Sequence, residues 1–177
     1  MKANLAVLPG DGVGPEVAAA AVSVLKEIAE RFGHQFDFSE HPIGGCAIDA
    51  TGEPLPEATR EACLRADAVL LGAVGGPKWS DPSAPVRPEQ GLLALRAALG
   101  VYANLRPVQV HPVLAARSPL KDEKLAGVDF IVVRELTGGA YFGKKTRSDT
   151  DASDECRYSE SEIERVLRRG FELARAR

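Results

Sequence analysis

Leu5–Leu8 is a short apolar run, followed by PGDGVGPE at Pro9–Glu16 and then by a long amphipathic stretch. A buried strand, a glycine turn and a helix, in that order, commit the chain to an α/β unit. Val17, Ala21, Val24, Leu25, Ile28 and Phe32 keep a helical rhythm, which predicts a helix with these residues as its buried face. Pro15 suits the first helical turn and Glu16 the positive end of the helix dipole. The dinucleotide fingerprint requires glycines at relative positions 1, 3 and 6, and the sixth position here is Pro15. That motif is therefore rejected. A glycine turn between strand and helix either brings backbone N–H groups against a ligand or is simply tight, and both readings stay open at this point.

The remaining chain extends the α/β pattern. Gln35–Phe38 and Ala68–Leu71 are predicted strands, Leu55–Leu64 a helix, and Gly44–Pro56 a loop broken by GG, TG and two prolines. GAVGGPKW at Gly72–Trp79 opens a proline-studded stretch reaching Glu89. A long loop directly after a buried strand is where α/β folds place ligand-contacting segments, although a plain surface linker reads the same way. Further on, VYANLRPVQVH predicts a strand with Tyr102, Asn104 and Arg106 on one face. Ala116–Gly127 reads as loop. Asp129–Glu135 predicts another strand, with Phe130, Val132 and Arg134 together, and TGGAYFGKKTR a turn and a strand containing Tyr141. Ser159–Arg177 predicts a charged helix with Ile163, Val166, Leu167, Phe171 and Leu173 towards a core and a capping box at Ser161 and Glu164.

Composition narrows the class. The net charge of −3 over 177 residues offers no basic field for nucleic acid or an anionic membrane. No apolar run approaches membrane-spanning length, and MKANLAVLPGDG does not read as a signal peptide. Cys46, Cys63 and Cys156 are odd in number and far apart, which points to reduced cytoplasmic thiols rather than disulfides or zinc ligands. His34, His41 and His111 lack metal-ligand spacing. Asp149, Asp151, Ser153 and Glu160 match part of a calcium loop, but Asp154 stands where that loop needs glycine, so a solvated turn is expected.

Arg87–Arg106, RPEQGLLALRAALGVYANLR, carries the clearest chemistry. Its Gln90–Leu99 core predicts a helix stopped by Gly100, with Glu89, Leu92 and Arg96 on one stripe. A second arginine, Arg106, follows on a strand-like run that closes with Pro107. Two guanidinium forks near an apolar patch suit a small, branched, multiply carboxylated molecule. An amphipathic helix with leucines in the core and solvated arginines is the alternative.

Four segments, LPGDGVGPEV, LLGAVGGPKW, RPEQGLLALRAALGVYANLRPV and IVVRELTGGAYFG, resemble the N-terminal half of the β-decarboxylating dehydrogenases. That family includes isopropylmalate, isocitrate and tartrate dehydrogenases. GGPKW and the leucine pair before Arg96 are similar to the isopropylmalate branch. The resemblance implies an α/β, two-lobed fold, incomplete here, with residues 1–100 in the first lobe and 101–177 opening the second, substrate and dimerisation lobe. It implies that Arg96, Arg106 and Arg134 bind the malate moiety, that Leu92 and Leu93 receive the isopropyl group, and that Tyr141 is the catalytic acid. It places Gly76, Pro77, Lys78, Trp79 and Glu89 by the NAD cofactor. The implied reaction is NAD-dependent oxidative decarboxylation of 3-isopropylmalate, in leucine biosynthesis, by a cytoplasmic homodimer. The alternatives are tartrate, homoisocitrate or another 2-hydroxy acid as substrate, or a binding-only fragment. The Mg2+ or Mn2+ ligands and the lysine base of the family are expected outside this chain, so no metal ligand is assigned here. The chain reads as a truncated product, and Met1–Arg177 alone is expected to be inactive.

Overall fold

The computed structural model of the chain describes residues 1–81 and 84–177. They form two compact units, Met1–Leu99 and Gly100–Arg177.

In the first unit, β1 (Lys2–Gly10) lies between two parallel partners, β2 (Gln35–Glu40) and β3 (Ala68–Ala73). Lys2 stands opposite Gln35, and Leu5 opposite Ala68. As the central strand, β1 is covered on both faces, and Ala6, Val7 and Leu8 are all buried. Helix α1 (Gly14–Phe32) returns the chain from β1 towards β2, and Gly33 ends it in the left-handed conformation. Three further helices follow: α2 (Gly45–Thr51), α3 (Glu57–Arg65) and α4 (Pro88–Leu99). Leu95 of α4 and Cys63 of α3 join Ala6, Leu8 and Ile43 in the core, with Leu55, Leu71 and Leu99 packed around them.

The helix expected from Val17 onward exists, and Ala21 and Leu25 of its expected face are half-buried, but its most buried positions are others. Gly14 and Ala18 face the sheet, while Val17, Val24, Ile28 and Phe32 are exposed. The close approach of helix and strand explains the exchange. A methyl group on Gly14 would stand 2.1 Å from the Pro9 carbonyl oxygen, so only small residues fit where α1 meets β1. The stretch expected as loop at Gly44–Pro56 contains α2, whose first turn is held by contacts described below.

The second unit is built on two antiparallel strands, β4 (Ala103–Gln109) and β5 (Asp129–Glu135). Its strand does not close at Pro107. It continues to Gln109, with Pro107 opposite Ile131, and β4 pairs with β5 alone among the described residues, so the missing proline N–H falls on an edge. A short helix α5 (Pro112–Ala115) precedes the loop expected at Ala116–Gly127, and a second, α6 (Asp122–Leu125), interrupts it. Tyr141 lies in a 3-10 turn, Gly139–Tyr141, rather than in a strand. The acidic stretch expected as a solvated turn supplies β7 (Ala152–Asp154), paired antiparallel with β6 (Lys145–Arg147) and tied by the Lys145–Asp154 ion pair at 2.9 Å.

Helix α7 (Glu160–Ala176) packs on β5. Its capping box is Ser159 with Glu162, two residues before the expected pair. Val166 and Leu173 are half-buried, whereas Ile163, Leu167 and Phe171, expected in a core, are exposed.

The inward face of α1 can be tested directly. Ala18→Leu is expected to destabilise the chain by about 1–3 kcal/mol through overpacking against the sheet. Val24→Lys, on the exposed stripe, should change stability by no more than about 0.5 kcal/mol. Urea unfolding of the two variants checks the assignment, and the reverse order would restore the Val17–Phe32 face as the buried one.

Candidate functional site

In the first unit, candidate residues gather beyond the carboxyl ends of β1 and β3, where open parallel sheets bind ligands. Asp11, 4% exposed, follows β1. Its Oδ2 accepts from Gly45 N (2.7 Å) and Gly75 N (2.8 Å), and its Oδ1 accepts from Cys46 N (2.7 Å). Its own N–H donates to Ala73 O at 2.7 Å. Desolvation pushes the Cys46 thiol up, and the Asp11 carboxylate pushes it the same way, so this thiol stays protonated and unreactive at neutral pH.

The GGPKW segment then turns through a short 3-10 helix, Pro77–Trp79. Lys78 Nζ donates to Asp49 Oδ2 at 2.5 Å and lies 5.2 Å from the Trp79 ring centre. Trp79 Nε1 donates to Asp49 Oδ1 at 3.3 Å. The hydrogen bond from Lys78 holds the Asp49 carboxyl below its ordinary value, and the one from Trp79 acts in the same direction. The indole covers Gly45, where a methyl group would meet the ring at 2.4 Å. Lys78 and Trp79 are thus engaged with α2, and Gly76 and Pro77 stand at the start of the turn they stabilise.

Glu89 is exposed in the first turn of α4, with its Oε2 3.7 Å from Arg87 Nε. Pro88, Gly91 and Leu95 are the buried side of that helix, and Leu92, Leu93 and Arg96 are half-buried. Glu89, Leu92 and Arg96 share one stripe, as their spacing requires. The expectation that the proline-rich linker contacts a ligand falls partly on Pro82, which lies outside the described residues.

The second unit brings Arg106, Arg134 and Tyr141 together. Arg134 stands opposite Asn104 across the β4–β5 pair, and Arg106 Nε donates to Asn104 Oδ1 at 2.6 Å. Both guanidinium groups therefore project from one face of the two strands. The Arg134 guanidinium lies 5.5 Å from the centre of the Tyr141 ring, and Tyr141 is 63% exposed. Two cations and a phenol on one face suit a carboxylated ligand with a site for proton delivery.

Sequence reasoning did not single out the residues that hold Tyr141 in place. Glu135 accepts from Thr137 N and Gly138 N, both at 2.8 Å, and from Thr137 Oγ1 at 2.6 Å. Arg165 of α7 donates to Glu135 Oε1 at 3.3 Å and to Thr137 Oγ1, and its guanidinium lies 4.7 Å from the Tyr102 ring centre. The turn carrying Tyr141 is thereby fastened to α7. Glu135 adjoins Arg134 within RELTGG and was visible as part of that motif, whereas nothing local marks Arg165 among the arginines of α7.

Among the described residues, no group of three or more His, Cys, Asp or Glu side chains is placed to hold a metal ion. Among the described residues, no helix is long and apolar enough to cross a membrane. Cys46, Cys63 and Cys156 are all free thiols. A hollow of about 420 Å³ beside Leu167 and Phe171 of α7 touches none of the candidate residues.

The isocitrate/isopropylmalate dehydrogenase family profile matches residues 4–177. The chain is 55% identical over 183 aligned residues to a 3-isopropylmalate dehydrogenase of Bacillus licheniformis, covering 100% of this chain and 50% of that protein. It is 56% identical over 182 residues to one of Anaeromyxobacter dehalogenans, covering 100% and 52%. Among solved structures, a β-decarboxylating dehydrogenase of Thermococcus kodakarensis superposes with a TM-score of 0.68 at 34% identity, covering 98% of this chain and 46% of that one. An isocitrate dehydrogenase of Methylococcus capsulatus gives 0.70 at 28% identity, covering 98% and 48%. The chain spans about half the length of the curated relatives it matches.

The Glu135 network has a pH signature. Desolvation pushes the Glu135 carboxyl up, but the hydrogen bonds from the Thr137 hydroxyl, the Gly138 and Thr137 N–H groups and Arg165 outweigh it and hold it below its ordinary value. A depressed carboxyl stabilises fully above the unfolded glutamate range, and that contribution is lost as pH falls through the lower folded value. Glu135→Gln is therefore expected to flatten the acid limb of Tm below about pH 5, where the unfolded carboxyl begins to protonate, followed by calorimetry. Identical acid limbs in the two chains would remove Glu135 from this role.

Proposed function

Because this chain belongs to the isocitrate/isopropylmalate dehydrogenase family, we propose that it supplies the substrate-gripping part of an NAD-dependent 3-isopropylmalate dehydrogenase of leucine biosynthesis. The observation that carries this reading is the shared face of β4 and β5, with Arg106 and Arg134 on it and the Tyr141 ring 5.5 Å from the Arg134 guanidinium. Arg106 and Arg134 take up the carboxylates of the malate moiety, each fork offering parallel N–H donors. Arg96 adds a third cation. Leu92 and Leu93 receive the isopropyl group, and an apolar surface there penalises a competitor carrying a further carboxylate.

Tyr141 delivers a proton to the substrate carbon that loses carbon dioxide, and the Arg134 cation stands beside its ring. Gly76, Pro77, Lys78, Trp79 and Glu89 form the cofactor side. NAD bound there supplies the hydride acceptor. The described residues do not assemble a set of ligands for Mg2+ or Mn2+, so no step is assigned to a metal on this chain. The complete protein is proposed to be cytoplasmic and to work as a homodimer without nucleic-acid or membrane partners, and Met1–Arg177 alone is proposed not to turn over.

The test joins residues 1–177 to the C-terminal half of the Bacillus licheniformis relative and follows NAD reduction with magnesium or manganese. Turnover of 3-isopropylmalate in preference to isocitrate, tartrate and homoisocitrate is the expected result. Preference for another of these acids would replace the substrate assignment, and 3-isopropylmalate binding without turnover would favour the binding-only reading. In the active chimera, Tyr141→Phe should lower kcat by about two to four powers of ten with KM for 3-isopropylmalate little changed. A collapsed affinity with surviving turnover would make Tyr141 a binding residue.

A further inference from the structure

We infer that Asp11 is the positioning residue of the cofactor side: a buried carboxylate that sets where Gly75 and the segment from it to Trp79 stand. The inference rests on the proposed cofactor role of that loop. A charge is costly to bury unless it is well hydrogen-bonded, and Asp11 meets the cost with three backbone N–H donors. These donors belong to separate stretches of chain. Gly45 and Cys46 open α2, while Gly75 opens the loop after β3. The Asp11 N–H on the Ala73 carbonyl fixes the end of β3 as well.

Gly75 in turn lies beside the Glu89 carboxylate. Gly75 has φ +96°, and a methyl group there would come within 3.0 Å of Glu89 Oε1, so the backbone runs directly beneath that carboxylate. At the far end of the turn, Asp49 of α2 holds Lys78 and Trp79. Both ends of the Gly75–Trp79 segment are therefore tied to the same short helix, through Asp11 at one end and Asp49 at the other. Asp11→Asn keeps the shape of the side chain but turns an N–H2 towards backbone donors, so at least one of the three bonds is lost.

Trp79 is the single tryptophan of the chain and reports the loop directly. In the 177-residue chain, Asp11→Asn is expected to shift Trp79 emission to the red and raise its acrylamide quenching by at least about two-fold, with far-UV circular dichroism unchanged. Should the variant fail to fold, amide exchange in the unaltered chain decides. The Gly45, Cys46 and Gly75 amides share one carboxylate and are expected to exchange together, at least about 100-fold slower than a free loop. Unchanged Trp79 emission and quenching in a folded Asp11→Asn chain, or free-loop exchange at Gly75, would overturn the inference. Neither readout depends on activity, so both stand if the dehydrogenase reading fails. In an active chimera, Asp11→Asn should raise KM for NAD about ten-fold and leave KM for 3-isopropylmalate within about two-fold. Equal changes in both would reduce Asp11 to a general structural role.

Discussion

In the first unit, main chain packs on main chain at the carboxyl end of the sheet. A methyl group on Gly10 would stand 1.9 Å from the Ala73 carbonyl oxygen, and one on Gly72 would stand 2.4 Å from that of Pro9. No side chain separates β1, β3 and the start of α1 at this level. The helix is consequently drawn close to the sheet, small residues are selected on its inner face, and the Asp11 N–H comes within hydrogen-bond distance of Ala73. The loops that follow β1 and β3 then emerge side by side, close enough for one carboxylate to gather their N–H groups.

The second unit solves a different problem. Its two long strands have little covering, and Phe130 and Val132 stay exposed. Order near Tyr141 comes from a polar relay instead. Arg165 lies over Tyr102, reaches Glu135 and Thr137, and through Glu135 fixes the Gly138 N–H, while the Gly139 N–H donates to the Arg157 carbonyl ahead of Tyr141. Such a network is stiff only while all its members are satisfied.

Much of this was legible in the sequence. Strand, turn and helix near the start, the α4 stripe and the alternation of β4 all follow from periodicity. What periodicity could not fix was phase. In α1 and α7 the largest apolar side chains mark a regular stripe, yet the sheet side of α1 takes Gly14 and Ala18 because close approach leaves no room for valine. Helix α2 escaped notice because seven residues flanked by glycines look like loop, and its order depends on Asp11 and Trp79, which are remote in sequence. The strands β6 and β7 are polar and exposed, so no apolar alternation announced them. Arginines Arg106 and Arg134 were visible as chemistry, but their common face depends on a cross-strand register that only pairing defines.

The order β2-β1-β3 also bears on how the unit is made. The strand in the middle is the first to be synthesised, and its second neighbour ends with Ala73, about 60 residues later. At ordinary translation rates that interval lasts on the order of 3–12 s, far longer than a hairpin needs to close. Through it, one edge of β1 has no strand beside it, and the apolar run Leu5–Leu8 is open to other chains. Of the three strands, β1 therefore waits longest for its full set of neighbours, with Leu5–Leu8 the segment left open in that interval.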